Sequence, residues 1–207
     1  MLDLSAKSGV IENFLTHDEM LELRKHFLTT TPTHSSLNDT VYGIDKKNIR
    51  HYYWFQKTLF AKLQNIFRQD LKLAWAMYCL FTKSFDIHND NNVNLPEDNA
   101  ESYVVCLIPF AVNNDPKQCN KASTLIFTKE ENPNYAEDHK NYLSNNPIDL
   151  VKKFKVKKIH NWNSGDLIWW TSEMDHAGSH FTDKLQKKEC WSIHTYCLLY
   201  TSDAADE

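Results

Sequence analysis

The spacing of hydrophobic positions changes character near residue 72. Before that point it is helical. The stretch 11–30 begins with Thr16-His17-Asp18-Glu19, a capping box in which the Thr and Glu side chains satisfy each other's backbone N–H groups. Leu15 and Met20 stand where a hydrophobic staple would place them. Met20, Leu23 and Phe27, with Leu21 and Leu28, then follow helical spacing. Residues 31–50 are rich in Thr, Ser, Asn and Asp and predict loop. A second helix is predicted over 52–71, with Phe55, Leu59, Leu63, Ile66 and Phe67 on one side.

From Leu73 the pattern alternates. Leu73, Trp75, Met77, Cys79 and Phe81 fall on one face of a strand that leads into Ser84-Phe85-Asp86-Ile87-His88. Further strands are predicted over 103–110, ended by Pro109, and over 123–128, 158–162, 166–171 and 190–196. Polar segments at 89–100, 113–120 and 130–146 separate them, with a short helix near 149–154. Two helices followed by many short strands predict an α+β protein built on a β-sandwich or barrel.

Composition narrows the class. At 207 residues, 42% hydrophobic and 24% charged, the chain has the make-up of one globular domain. A net charge of −4 argues against a nucleic-acid partner. The longest apolar stretch, 103–112, is too short to span a bilayer, and without a basic n-region and a long apolar run MLDLSAKSG is not expected to be a secretory signal. The five cysteines show no CxxC spacing and predict reduced thiols in a cytoplasmic protein. The last eleven residues, CLLYTSDAADE from Cys197, resemble the translation of a sequencing-library adapter and are expected to be a non-native tail. Without Asp203, Asp206 and Glu207 the net charge becomes −1.

The chemistry concentrates in two places. In His88-Asn89-Asp90, residues i and i+2 of a strand share a face, so an imidazole and a carboxylate can grip one metal ion. A third ligand is expected after the Gly165-Asp166 turn and the strand that follows it. His176 is the first choice there and His180 the second. Two His and one carboxylate form the facial triad of non-haem Fe(II) sites, which leaves three coordination positions open.

The order of these parts (helix, strand with HxD, YVVCLIPF, STLIFT, GD-strand-His, final strand) resembles the 2-oxoglutarate- and Fe(II)-dependent oxygenases over roughly residues 10–196. It is closest to their prolyl-hydroxylase-like branch and to small phage and environmental members. The resemblance implies a double-stranded β-helix, a cupin-like jelly roll with N-terminal helices packed on one sheet. It implies a single domain over 1–196, helical over 1–71 and jelly roll over 72–196. His88, Asp90 and His176 would be the catalytic iron ligands, with 2-oxoglutarate as co-substrate and O₂ as oxidant. Relatives hold the far carboxylate of 2-oxoglutarate with a basic residue on the strand after the distal His. Here Lys188 is the first choice and Lys187 the second. Many relatives carry Arg-x-Ser there, and alignment on Cys190-Trp191-Ser192 would put a Cys in the Arg position, where it cannot pair with a carboxylate. Alternation puts Lys188, Cys190, Ser192 and His194 on one face, and with that face inward Ser192 is a second co-substrate contact. Tyr103 opens the strand after the HxD loop, and its hydroxyl is a third. The implied reaction is hydroxylation of a protein side chain such as proline, or of a small metabolite, with release of succinate and CO₂. A cupin-like metal-binding module, or a structural jelly roll without turnover, is the alternative.

Overall fold

The structure, a computed structural model, describes residues 2–28, 32–35, 39–44, 55–91, 95, 100–180 and 187–198. A short 3₁₀ turn (Leu4–Ala6) precedes β1 (Ser8–Ile11) and α1 (His17–Leu28). Thr16 Oγ1 accepts from the Glu19 N–H at 3.2 Å, and the Glu19 carboxylate accepts from the Thr16 N–H at 2.9 Å, so the capping box is formed. Leu15, Met20 and Leu23 are buried together, whereas Leu21 is 51% exposed and off the core face. The second helix is shorter than its pattern suggests. A π-helical turn (Phe55–Phe60) runs into α2 (Ala61–Ile66), and Leu59, Leu63 and Phe67 are buried on one side.

Residues 31–50 hold strands as well as loop: β2 (His34–Ser35) and β3 (Asp39–Ile44) extend one sheet at its edge. Polar residues are tolerated there because an edge strand faces water. Next come β4 (Lys72–Phe81) and β5 (Ala100–Val112), a 3₁₀ turn (Pro116–Lys121) and β6 (Ser123–Lys129). The chain continues through α3 (Tyr135–Asn141), α4 (Ile148–Val151), β7 (Phe154–Asn161), β8 (Leu167–Thr171), β9 (His176–Gly178) and β10 (Lys188–Leu198). Pro109 does not end β5. The strand runs on to Val112 because the register against β10 slips there, with Cys190 opposite Pro109 and Glu189 opposite Ala111. A bulge accommodates a residue that has no N–H to donate.

All strand pairs are antiparallel. The major sheet has the order β1-β8-β5-β10-β4-β3-β2 and the minor sheet β7-β6-β9. The period-2 rule sorts the major sheet into two faces. Tyr78, Leu80, Cys106, Ile108, Trp169, Trp191 and Ile193 pack beneath α1 and α2. Cys79, Phe81, Val105, Ile168, Trp170 and Cys190 face the minor sheet and its Ile126. Each fully buried aliphatic side chain in these layers contributes about 1.5–3 kcal/mol relative to exposure. Helices therefore cover one face of a β-sandwich, the jelly-roll arrangement with helices on one sheet. Two residues of the expected tail lie inside β10, and Cys197 is buried in the helix-side core. No helix among the described residues is long and apolar enough to cross a membrane.

Candidate metal centre and its cavity

His88 lies in an irregular segment after β4, not in a continuous strand. It is fixed by a single bridge to the first residue of β9: the His88 N–H donates to the His176 carbonyl at 3.0 Å, and the His176 N–H donates back at 2.7 Å. The Asp90 N–H donates to the Ser172 carbonyl at 3.0 Å. Backbone pairing alone therefore brings the HxD segment beside β9. Gly165 makes the turn that feeds β8. Its φ is +87°, and a Cβ there would stand 2.8 Å from the Leu15 carbonyl oxygen, so no other residue fits without displacement.

His88, Asp90 and His176 each offer a ligand atom, and these atoms lie within 4.8 Å of one another. His88 Nε2 is 3.8 Å from Asp90 Oδ1, and His176 Nε2 is 3.4 Å from Asp90 Oδ2. The backbone sets the tautomers. His88 Nδ1 bonds the Asp86 carbonyl at 2.7 Å and His176 Nδ1 bonds the Met174 carbonyl at 3.0 Å. A carbonyl only accepts, so Nδ1 carries the proton and each Nε2 lone pair faces the cluster. The Trp170 indole N–H donates to Asp90 Oδ2 at 3.1 Å and orients the carboxylate. Burial pushes the His176 imidazole down to about 4; Asp90 opposes this and His88 adds to it. The ring is neutral at pH 7, the state a metal requires.

The triad lines a cavity of about 250 Å³ between the sheets. Lys188 stands at one end, only 3% exposed. Its ammonium donates to the Ser179 carbonyl and sits 5.4 Å from the centre of the Trp162 ring. Burial lowers its pKa to about 8. A buried ammonium in the cavity that the triad lines suits an anion. Ser192 and His194 line the same cavity, with Ser192 Oγ 3.3 Å from His194 Nε2. Tyr103 is not brought to the site. Its ring packs on the helix-side face of β5, 5.5 Å from the Arg68 guanidinium. The register shift between His194 and Tyr196 leaves Tyr103 and Val105 on opposite faces although they stand two residues apart. His180 stays outside the triad, its N–H donating to the Tyr142 carbonyl at 2.7 Å. Sequence reasoning missed Trp170 as a partner of Asp90. It also missed Trp75, whose indole lies flat on His194 at 3.5 Å and 18°. The only signal for Trp75 was its place on the alternating face of β4.

No protein-family model matches the chain, and no curated protein sequence does. Solved structures do. HygX from Streptomyces hygroscopicus, with nickel and 2-oxoglutarate bound, is 11% identical and has a TM-score of 0.59; the match covers 94% of this chain and 84% of that one. A Pseudomonas putida prolyl-4-hydroxylase is 13% identical at a TM-score of 0.51, covering 93% and 94%. The viral collagen prolyl hydroxylase of Paramecium Bursaria Chlorella virus-1, in complex with 2-oxoglutarate, is 11% identical at 0.55, covering 93% and 97%. At such identities the likeness is one of fold: the chain has the double-stranded β-helix of the 2-oxoglutarate- and Fe(II)-dependent oxygenases.

Proposed function

We propose that the protein is a non-haem iron oxygenase that consumes 2-oxoglutarate and O₂ to hydroxylate a small molecule or a protein side chain, prolyl rings foremost. The observation that carries this reading is the convergence of His88, Asp90 and His176 in one cavity with a buried lysine. Two imidazoles and one carboxylate favour a divalent first-row metal and leave half its coordination sphere open. His88, Asp90 and His176 would hold the iron. Lys188 would hold the far carboxylate of 2-oxoglutarate by a charge-assisted hydrogen bond. Bound together, iron, 2-oxoglutarate and O₂ supply the oxidising chemistry that turns a substrate C–H into C–OH and leaves succinate and CO₂.

The chain's own residues do the positioning. The Asp86 and Met174 carbonyls lock both imidazoles, and Trp170 locks the carboxylate. Phe81, Met77 and Leu107 line the cavity with apolar surface, which limits water at the reacting centre. The test is anaerobic reconstitution with Fe(II), then addition of 2-oxoglutarate and O₂. The wild type is expected to release succinate, slowly even without its prime substrate, and His88→Ala is expected to release none. Iron binding without succinate would overturn the enzyme reading in favour of a metal-holding module.

A further inference from the structure

The cavity has two ends, and the metal triad lies between them. Along β9, His176 belongs to the triad, and three residues on the Ser179 carbonyl holds the Lys188 ammonium. Along β10, Lys188 pairs with Phe81 and His194 pairs with Trp75. Six residues of strand separate those positions, about 20 Å. The groups that act on the His194 imidazole are Asp90, His176 and His88, so the triad is its neighbour. The Lys188 end is taken by 2-oxoglutarate in the function proposed above, on which this inference rests. The other end has walls of its own: Trp75, Met77, Leu107, Ser192 and His194.

Three features of that end define a guest. Its walls carry no Asp, Glu, Lys or Arg side chain. A charged group would lose its hydration there without a partner. The Trp75 indole and the His194 imidazole form a stacked aromatic pair, a surface that favours a flat ring. The Ser192 hydroxyl lines the cavity 3.3 Å from His194 Nε2, and a hydroxyl can both donate to and accept from a guest's polar atom. The volume, about 250 Å³ for the whole cavity, lies at the lower edge of ligand pockets, roughly 300–1,000 Å³, and admits one small group.

We propose that the Trp75–His194 stack is the prime-substrate subsite, and that it takes a single uncharged ring bearing one hydrogen-bonding carbonyl or hydroxyl. The ring lies against the aromatic pair, and its polar atom meets Ser192 Oγ. A ring held there presents its C–H bonds to the triad from the side opposite Lys188.

The test uses protein loaded with Mn(II) and 2-oxoglutarate, which binds without turning over. Three probes of similar size are titrated by NMR: N-acetylprolinamide (neutral ring), N-acetylleucinamide (neutral, acyclic) and N-acetylaspartamide (charged). The ring probe is expected to bind most tightly, with its ring protons broadened by the Mn(II). Trp75→Ala is expected to weaken it about tenfold or more, and Trp75→Phe, which keeps an aromatic face, to restore binding to within about threefold. Titration with 2-oxoglutarate serves as the control for folding. Equal or tighter binding of the charged or acyclic probe, absence of broadening, or indifference to Trp75→Ala would overturn this inference alone. Failure of the wild type to bind Mn(II) and 2-oxoglutarate would overturn the proposed function and the subsite with it.

Discussion

Each cavity residue takes its role from what its second polar atom is bonded to. His88 and His176 spend Nδ1 on backbone carbonyls and so turn Nε2 to the cluster. His194 has Ser192 at Nε2 and the Trp75 indole against its ring. Lys188 is the residue whose protonation should be visible in binding. Burial lowers its pKa to about 8, so above that pH the empty site holds a neutral amine. In the proposed function a dianionic co-substrate needs the ammonium, and its binding above pH 8 would take up a proton. The dissociation constant of 2-oxoglutarate, measured by calorimetry, is expected to be level below about pH 8 and to rise by up to about tenfold per unit above it. Lys188→Met should weaken binding by about 10–150-fold at pH 7, the range for one charge-assisted hydrogen bond, and abolish that slope. These residues were legible to different degrees. His88, Asp90 and His176 could be found because ligand chemistry restricts residue type and because the Gly165 turn fixes spacing. Tyr103 was misplaced because a bulge shifts strand parity and leaves no mark in composition. The Trp75–His194 stack depends on the register between two strands more than a hundred residues apart, which no local pattern encodes.

At the level of elements, the site depends on turns and bulges more than on the strands they join. The Gly165 turn is the clearest case. Replacing Gly165 by Ala puts a Cβ into a left-handed conformation and against the Leu15 carbonyl oxygen, in a turn where the Leu15 N–H donates to the Gly165 carbonyl at 2.9 Å. The expected cost is about 2–3 kcal/mol. In a domain of this size that lowers the melting temperature by roughly 5–10 °C, measurable by scanning calorimetry. The two helices and most strands were readable because their buried faces repeat at 3.6 or 2 residues. The strands β2 and β3 were not: β2 is a two-residue edge strand with both residues exposed, and β3, between β2 and β4, lies in a stretch rich in Thr, Ser, Asn and Asp that reads as loop. Pro109 misled for a related reason: it signals an end only where the ladder needs its N–H, and the bulge against β10 removes that need.

The whole molecule is a sandwich with one face under helices and the other closed over a cavity that holds neutral imidazoles. That gives the metal-free protein a defined response to acid. His176 and His194 are both lowered to about 4 from 6.5, chiefly by burial. Between those values the unfolded chain binds more protons than the folded one, so folding stability is full above about pH 6.5 and falls as pH drops toward 4. Urea midpoints of the metal-free protein are expected to decline across that window, and His194→Gln is expected to flatten the decline. A metal-free protein whose midpoint holds steady from pH 7 to 4.5 would contradict the burial of these rings. The reciprocal backbone bonds between His88 and His176 have a consequence for the chain as a polymer. They close a loop of roughly 90 residues that includes β5, β6, β7 and β8, and an ion held by both imidazoles fastens that closure. A permanent cross-link around such a loop removes about 4–5 kcal/mol of entropy from the unfolded ensemble. An ion gripped by the same two side chains is a reversible clasp of comparable reach, fastening the segment that bears Asp90 to the edge of the minor sheet.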